Sequence, residues 1–205
     1  HYYMWDAQEQ YWKGHEWNSA NPWQSVLSGY SNNNYHKNNT DSRYCNEGNG
    51  PLQATHSCAN LPNINEMTWY AAKGEPRWDA DELWTTMGHL YKGGMWFKKK
   101  ANISGFDANK AVDGSDWRTK GYGRSWSVSQ TLPDAADAGN YFYLPALGYY
   151  DSGWLYNVGR NGYYWLSSTY PWDNYTAYGL YFYRSNIVVN NLSRGNGYRA
   201  EALFE

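Results

Sequence analysis

The stretch Ala177-Tyr-Gly-Leu-Tyr-Phe-Tyr-Arg-Ser-Asn-Ile-Val-Val-Asn190 decides the fold class. Successive residues of a strand face opposite sides of a sheet. Read with that period, Tyr178, Leu180 and Phe182 share one face and suit a core. Gly179, Tyr181 and Tyr183 share the other, which continues towards Arg184 and Asn186 and suits solvent. Arg184-Ser-Asn reads as a hairpin turn. Beyond it, Ile187 and Val189 suit the core and Val188 the outer face. Tyrosines exposed on adjacent strands would make a flat binding patch. Ordinary cross-strand tyrosine packing would use the same residues, and the sequence leaves both readings open.

Outward from this hairpin, short strands bounded by Gly, Asn or Asp are expected at 154–158, 163–167 and 198–203. Tyr141-Phe-Tyr-Leu-Pro-Ala-Leu-Gly-Tyr-Tyr150 reads as a strand interrupted by Pro145. Upstream, Asn65-Glu-Met-Thr-Trp-Tyr-Ala-Ala72 reads as a short helix capped by Asn63 or Asn65. A second helix is expected over 79–91. Asp79 is its N-cap and pairs with Glu82, and Leu83, Met87 and Leu90 share one face. Gly93-Gly94 would end it, with a strand beginning at Met95. The region 101–140 is polar and Gly-rich, with weak helix signals near Asn109–Val112. Residues 1–60 read as loop with aromatic anchors, including Asn/Ser/Gly tracts over 31–40 and 46–50. Early helices and a late antiparallel sheet make one α+β domain over residues 1–205, with no repeat and no dividing linker.

Composition narrows the function. Of 205 residues, 22 are Tyr, 13 Trp and 22 Asn, while only 18% are charged. The mean hydropathy of −0.88 would suit disorder, but a chain that is 20% aromatic is not of that kind. Apolar runs fall far short of the ~18–20 residues that cross a membrane. Net charge −2 argues against general nucleic-acid binding, which wants a basic face. Tyr and Trp with Ser, Gly and Asn match the residue usage of contact surfaces. A Tyr/Asn-rich surface protein without a special contact site would look the same. The chain opens at His1 without a basic or apolar leader, which reads as a mature chain or an excised fragment.

The inventory for catalysis is thin. Between residues 141 and 200 the only carboxylates are Asp151 and Asp173, both beside turn residues. All five histidines lie in the first half, so nothing nearby in sequence would activate Ser167, Ser168 or Thr169. Cys45 and Cys58 match no zinc signature, and the sequence leaves open a disulfide or two free thiols. Gly121-Tyr-Gly and Gly195-Asn-Gly read as turns, and Lys98–Lys100 as a solvated strand end. The oxygen ligands of Pro171-Trp-Asp-Asn174 are weak grounds for calcium. The four Asn-x-Ser/Thr matches, at Asn38, Asn102, Asn174 and Asn191, are expected by chance in so Asn-rich a chain. No cofactor and no metal is expected.

Four segments carry a family resemblance. They are Tyr141–Tyr150, Gly162-Tyr-Tyr-Trp-Leu-Ser-Ser-Thr169, Ala177-Tyr-Gly-Leu-Tyr-Phe182 and Ser193-Arg-Gly-Asn-Gly-Tyr-Arg-Ala-Glu201. Together they resemble the C-type-lectin-fold domain of the formylglycine-generating-enzyme type. More narrowly, they are similar to bacterial paralogues with Gly-Tyr-Tyr-Trp-Ser-Ser and Ser-Arg-x-x-Gly-x-x-Val-Arg motifs. Those occur in Bacteroidales and Fibrobacter surface proteins and in the variable proteins of diversity-generating retroelements. The openings Tyr2-Tyr-Met-Trp-Asp-Ala7 and Leu61-Pro-Asn-Ile-Asn-Glu-Met-Thr-Trp-Tyr70 also look like that group. Leu166 departs from the motif by separating Trp165 from Ser167, and Ala200 stands where Val-Arg would be expected.

The resemblance implies two helices with small twisted antiparallel sheets. It also implies a non-enzymatic binding protein whose C-terminal stretch is diversified at Asn codons. The frame would be Gly162, Trp165, Ser167, Ser168, Leu180, Phe182, Arg194 and Gly197. The ligand-binding variable positions would be Tyr170, Asn174, Tyr175, Tyr178, Tyr181, Tyr183, Arg184, Asn186, Asn190, Asn191, Asn196 and Tyr198. Tyr178 conflicts with the strand parity, which places it inward. Trp172 cannot arise from such a codon and would belong to the frame or the template. The implied ligand is a macromolecule or glycan on a cell surface, with no nucleic-acid partner and no membrane insertion. The implied location is a bacterial surface or a phage tail tip. The alternative is a constant carbohydrate-binding or structural surface domain of the same fold. Formylglycine generation itself would need a reactive thiol, and the C-terminal part has no cysteine.

Overall fold

A computed structural model describes residues 1–16, 35–38, 40–45 and 57–200. It is a mixed α+β fold of small antiparallel sheets with one α-helix among the described residues. Helix α1 (Ile64–Lys73) starts where the sequence places it. The Asn63 side chain accepts from the Glu66 amide and the Glu66 carboxylate accepts from the Asn63 amide, a reciprocal box that satisfies two orphan donors. Asn63→Ala is expected to lower stability by about 1–2 kcal/mol, read as a lower urea midpoint at unchanged slope.

The second expected helix does not form. Residues 79–91 lie instead in a β-hairpin of β1 (Arg77–Thr86) and β2 (His89–Lys98). Met87 and Gly88 turn it with φ values of 49° and 77°, the pair of positive angles a two-residue hairpin loop needs. Gly93-Gly94, read as a helix end, lies inside β2, and β4 (Tyr141–Pro145) completes this sheet in the order β1-β2-β4. Asn109–Val112 forms turns rather than helix.

Four strands make the second sheet in the order β3-β9-β8-β7: β3 (Arg124–Ser127), β7 (Gly162–Thr169), β8 (Thr176–Tyr183) and β9 (Asn186–Ser193). β3 was not anticipated, since its Arg-Ser-Trp-Ser offers only one apolar residue. A small hairpin joins β5 (Tyr149–Asp151) to β6 (Trp154–Tyr156). Tyr198 and Arg199 make only isolated bridges, and residues 201–203 of the expected last strand lie outside the described residues. So do 31–34 and 46–50 of the expected loop tracts.

Strand parity holds along the deciding hairpin. Tyr178, Leu180, Phe182, Ile187 and Val189 are all fully buried against the main core, while Tyr181 and Tyr183 are not. Val188, on the outer face, is also largely covered.

A second, smaller core lies on that outer face, at the Ala177–Leu192 end. Trp165, Ala177 and Tyr198 pack there with Trp5, Cys58 and Leu61. The indole of Trp165 donates to the Tyr3 carbonyl at 2.9 Å and that of Trp5 to the Leu166 carbonyl at 3.0 Å. Tyr3 and Tyr198 bond each other's backbones in both directions, closing the clamp. The frame residues of the motif serve packing. The Ser168 hydroxyl accepts from the Ile64 amide at the start of α1. A Cβ at Gly162 would lie 2.2 Å from the Phe182 ring. Arg194 donates to the Thr176 carbonyl and lies 4.5 Å over the Trp5 ring.

Candidate functional site

Where the second core ends, the outer face stays partly open. Tyr163 on β7 pairs with Tyr181 on β8, and their rings stack at 5.4 Å with planes 14° apart. From Tyr163 the contacts continue to Tyr149 at 4.4 Å, to Tyr156 at 5.3 Å and to Trp154 at 6.4 Å. Five rings thus run in one row from β8 across β7 onto the β5–β6 hairpin. Tyr198 supports the row from beneath, 5.2 Å from Tyr163 and 5.8 Å from Tyr149. The row opens to solvent at Trp154, which is 42% exposed, and Tyr183 lies exposed two residues beyond Tyr181. Its middle rings are half-buried.

Alternation on the short strands produces this row. In β5, Tyr150 points into the main core and leaves Tyr149 and Asp151 on the other side. In β6, Leu155 does the same for Trp154 and Tyr156. Near-parallel stacking turns ring faces towards one another and leaves edges for solvent. Burial pushes the Tyr163 phenol up to about 12 and raises Tyr149 and Tyr181 as well. Tyr149, Tyr163 and Tyr181 therefore present uncharged phenols at neutral pH.

The twelve positions singled out in sequence fall into separate groups. Tyr181, Tyr183, Asn186 and Asn190 share the outer face. Arg184 lies at the β8–β9 turn, held by the Gln130 side chain at 3.1 Å. Asn190 packs tightly against Gly123. Asn191 faces the opposite side, near the Thr176 hydroxyl. Tyr170, Asn174 and Tyr175 occupy the β7–β8 loop, at the far end of an eight-residue strand and so roughly 20–25 Å from the Arg184 turn. Asn196 donates to the Tyr198 hydroxyl at 2.9 Å.

Two of the twelve require correction. Tyr178 and Tyr198 are 0% and 2% exposed, so neither ring is free to touch a ligand. Tyr178 is on the core face of β8, as parity dictates. Tyr198 is roofed by Trp165, Tyr163 and Tyr149. Tyr149, Trp154, Tyr156 and Tyr163 are not among the twelve; the Trp-Leu-Tyr alternation of β6 is the sequence signal that points to two of them.

Other titratable groups are engaged in structure. Asp173 accepts from the Tyr175 and Thr176 amides, and Asp151 accepts from the Ser152 hydroxyl, so both are turn formers. A cavity of about 460 Å³ is lined by Glu75, Arg77, Lys98 and Tyr141. There Lys98, Arg77 and Tyr141 all donate to Glu75, whose carboxyl Lys98 and then Arg77 hold down to about 2. A second cavity, about 350 Å³, adjoins the row at Asp151 and Asn196 and includes Tyr35, Tyr44 and His36. Burial, with help from Arg43, holds the His36 imidazole down to about 4, so it is neutral.

Cys45 and Cys58 are buried and are not joined by a disulfide, and burial pushes the Cys58 thiol up to about 12. Among the described residues, no group of three or more His, Cys, Asp or Glu side chains converges as a metal cluster, and no helix is long and apolar enough to cross a membrane. Compared with known proteins, the chain matches no family model, no curated protein and no solved structure.

Proposed function

We propose that this chain is a non-enzymatic ligand-binding domain. Its outer sheet face presents a Tyr/Asn/Arg surface to a macromolecular or glycan ligand at a bacterial surface or a phage tail tip. The observation that carries this reading is the continuous row Tyr181–Tyr163–Tyr149–Tyr156–Trp154 on a rigid sheet. Such rings offer large contact area that loses little conformational freedom on binding. A thiol chemistry of the formylglycine-generating kind is disfavoured, because a thiol raised to about 12 is scarcely ionised at neutral pH.

The scaffold reading is a C-type lectin fold of the formylglycine-generating-enzyme-like subtype. The small antiparallel sheets beside a capped helix, with the motif residues spent on packing, support it, while the second helix that the resemblance implies is replaced by the β1–β2 hairpin. Of the four outer-face candidates, Tyr181 belongs to the row and Tyr183, Asn186 and Asn190 share its sheet face, and this supports a diversified contact surface. The runner-up is a constant surface domain of the same fold, for which the row is fixed.

Sequencing the DNA that flanks the gene separates the two. A diversified binder requires a near-copy of the segment encoding residues 162–205 beside a reverse transcriptase gene. Its adenine mismatches are expected at Tyr181, Tyr183, Asn186 and Asn190 and not at the buried Tyr178 and Tyr198. Absence of the copy, or mismatches concentrated at the two buried tyrosines, would sink the diversification reading.

A further inference from the structure

We infer a second binding site, for a hexopyranose unit of a polysaccharide, on the indole of Trp172. Trp172 is 70% exposed, the most open large apolar side chain among the described residues. A Cβ built on Gly121 would lie 3.0 Å from each of Cδ2, Cε2 and Cε3 of this ring. Cδ2 is bonded to both other atoms at the ring fusion. An atom equally close to all three sits over the ring face, not at its edge. One face of the indole therefore lies flat on the Gly121 backbone, and the other looks into solvent.

The platform is held in place before any ligand arrives. Pro171 fixes its own φ just ahead of Trp172. Asp173 Oδ1 accepts from the Tyr175 amide at 3.1 Å, the Thr176 amide at 2.7 Å and the Thr176 hydroxyl at 2.7 Å. Tyr170 meets Trp172 edge-on at 5.9 Å and is tied in turn to buried Tyr178 at 5.6 Å. A rigid ring loses little freedom on binding.

The surroundings select the ligand. The two loops concerned, residues 117–124 and 169–175, contain no Leu, Ile, Val or Met. They bring instead the exposed Tyr122 and Tyr175, the amide of Asn174 and the exposed cations Arg118 (paired with Asp116), Lys120 and Arg124 (which lies over the Trp126 ring). A hydrophobic protein segment would find one flat ring and no aliphatic pocket. A hexopyranose has an apolar C–H face that suits the electron-rich ring face, and hydroxyls at its rim that suit phenols and an amide. This site is independent of the outer-face row, since Trp172 lies at the opposite end of β8 from Tyr183.

Native electrophoresis in gels cast with galactomannan, mixed-linkage β-glucan or xyloglucan tests the assignment. At least one polysaccharide is expected to retard the wild-type chain. Trp172→Ala is expected to weaken that retention about fivefold or more, and Trp172→Phe to keep part of it. Leu90→Ala, at an exposed apolar side chain of the β1–β2 hairpin, should leave it unchanged. Trp172→Ala should also melt with the wild type, because the side chain supports no core. Free migration in all three gels overturns the proposal, and so does retention that Trp172→Ala leaves intact.

Discussion

Trp165→Ala is expected to destabilise the fold by about 4 kcal/mol, in the range for a buried aromatic truncated to alanine. Trp165 is fully buried, yet it lies on the outer face of β7, away from the main core. Its ring packs 4.3 Å from Tyr198, and its indole N–H is bonded to the Tyr3 carbonyl. Removing it would open a cavity between the sheet and the Tyr3–Tyr198 clamp and take the indole donor from the Tyr3 carbonyl, which keeps the Tyr198 amide. For a domain of this size the melting temperature should fall by about 10–15 °C. Trp172→Ala removes the same atoms from a side chain that is 70% exposed, and should stay within about 0.5 kcal/mol of wild type. Thermal melts of the two variants side by side check the claim. A drop of only a few degrees for Trp165→Ala would mean that the outer-face core does not clamp the ends of the described chain.

Local chemistry was legible where it coincided with tertiary structure. The period-two pattern of 177–190 gave the correct inward face because both faces of that hairpin differ in polarity. Of the two candidate caps, Asn63 and Asn65, the first starts α1. Residues 79–91 misled because their apolar spacing fits a helix, whereas Leu83 and Leu90 are 61% and 65% exposed. What stabilises that hairpin is cross-strand: Trp84 stacks on Tyr91 at 5.2 Å, and the Trp84 indole donates to the Gly93 carbonyl. Asp79 does behave like a cap, accepting from the Asp81 and Glu82 amides, but it does so at an irregularity in β1. Such a side-chain bond serves a helix start and a strand bulge alike, so it cannot tell them apart.

The site was legible only in part for a different reason. Tyr181 and Tyr183 could be chosen from their own strand. Tyr149 and Tyr156 join them only because β5–β6 docks beside β7 through the bridges Gly148–Gly162 and Tyr150–Gly197. At Gly148 the backbone has φ 65°, and a Cβ would lie 2.1 Å from the Tyr156 carbonyl oxygen, so this corner needs glycine. Spacing along the chain carries no trace of that docking.

The link between the β8 tyrosine and the β5–β6 rings is where a ligand should be most sensitive. Tyr163→Ala is expected to weaken binding by about 2 kcal/mol or more, a loss of roughly thirtyfold, as central aromatic anchors typically do. The reason is position. Tyr163 touches Tyr149, Tyr181 and Tyr198 and is the ring through which Tyr181 joins the row, so its loss detaches β8 from the β5–β6 rings. Arg184, at the exposed turn, should cost far less as alanine, since a solvated rim contact contributes little. Tyr163→Phe keeps the ring and removes the phenol, and so divides the loss between contact area and hydrogen bonding. Because Tyr163 is half-buried, each variant is first matched to wild type by its melting temperature. Binding is then read as retention of intact bacterial cells, or of glycans released from them, on immobilised protein. Equal retention by wild type and Tyr163→Ala would remove the row from the binding surface and leave it as cross-strand packing. Loss with Tyr163→Ala and little change with Arg184→Ala would place the contact on the sheet rather than at the hairpin tip.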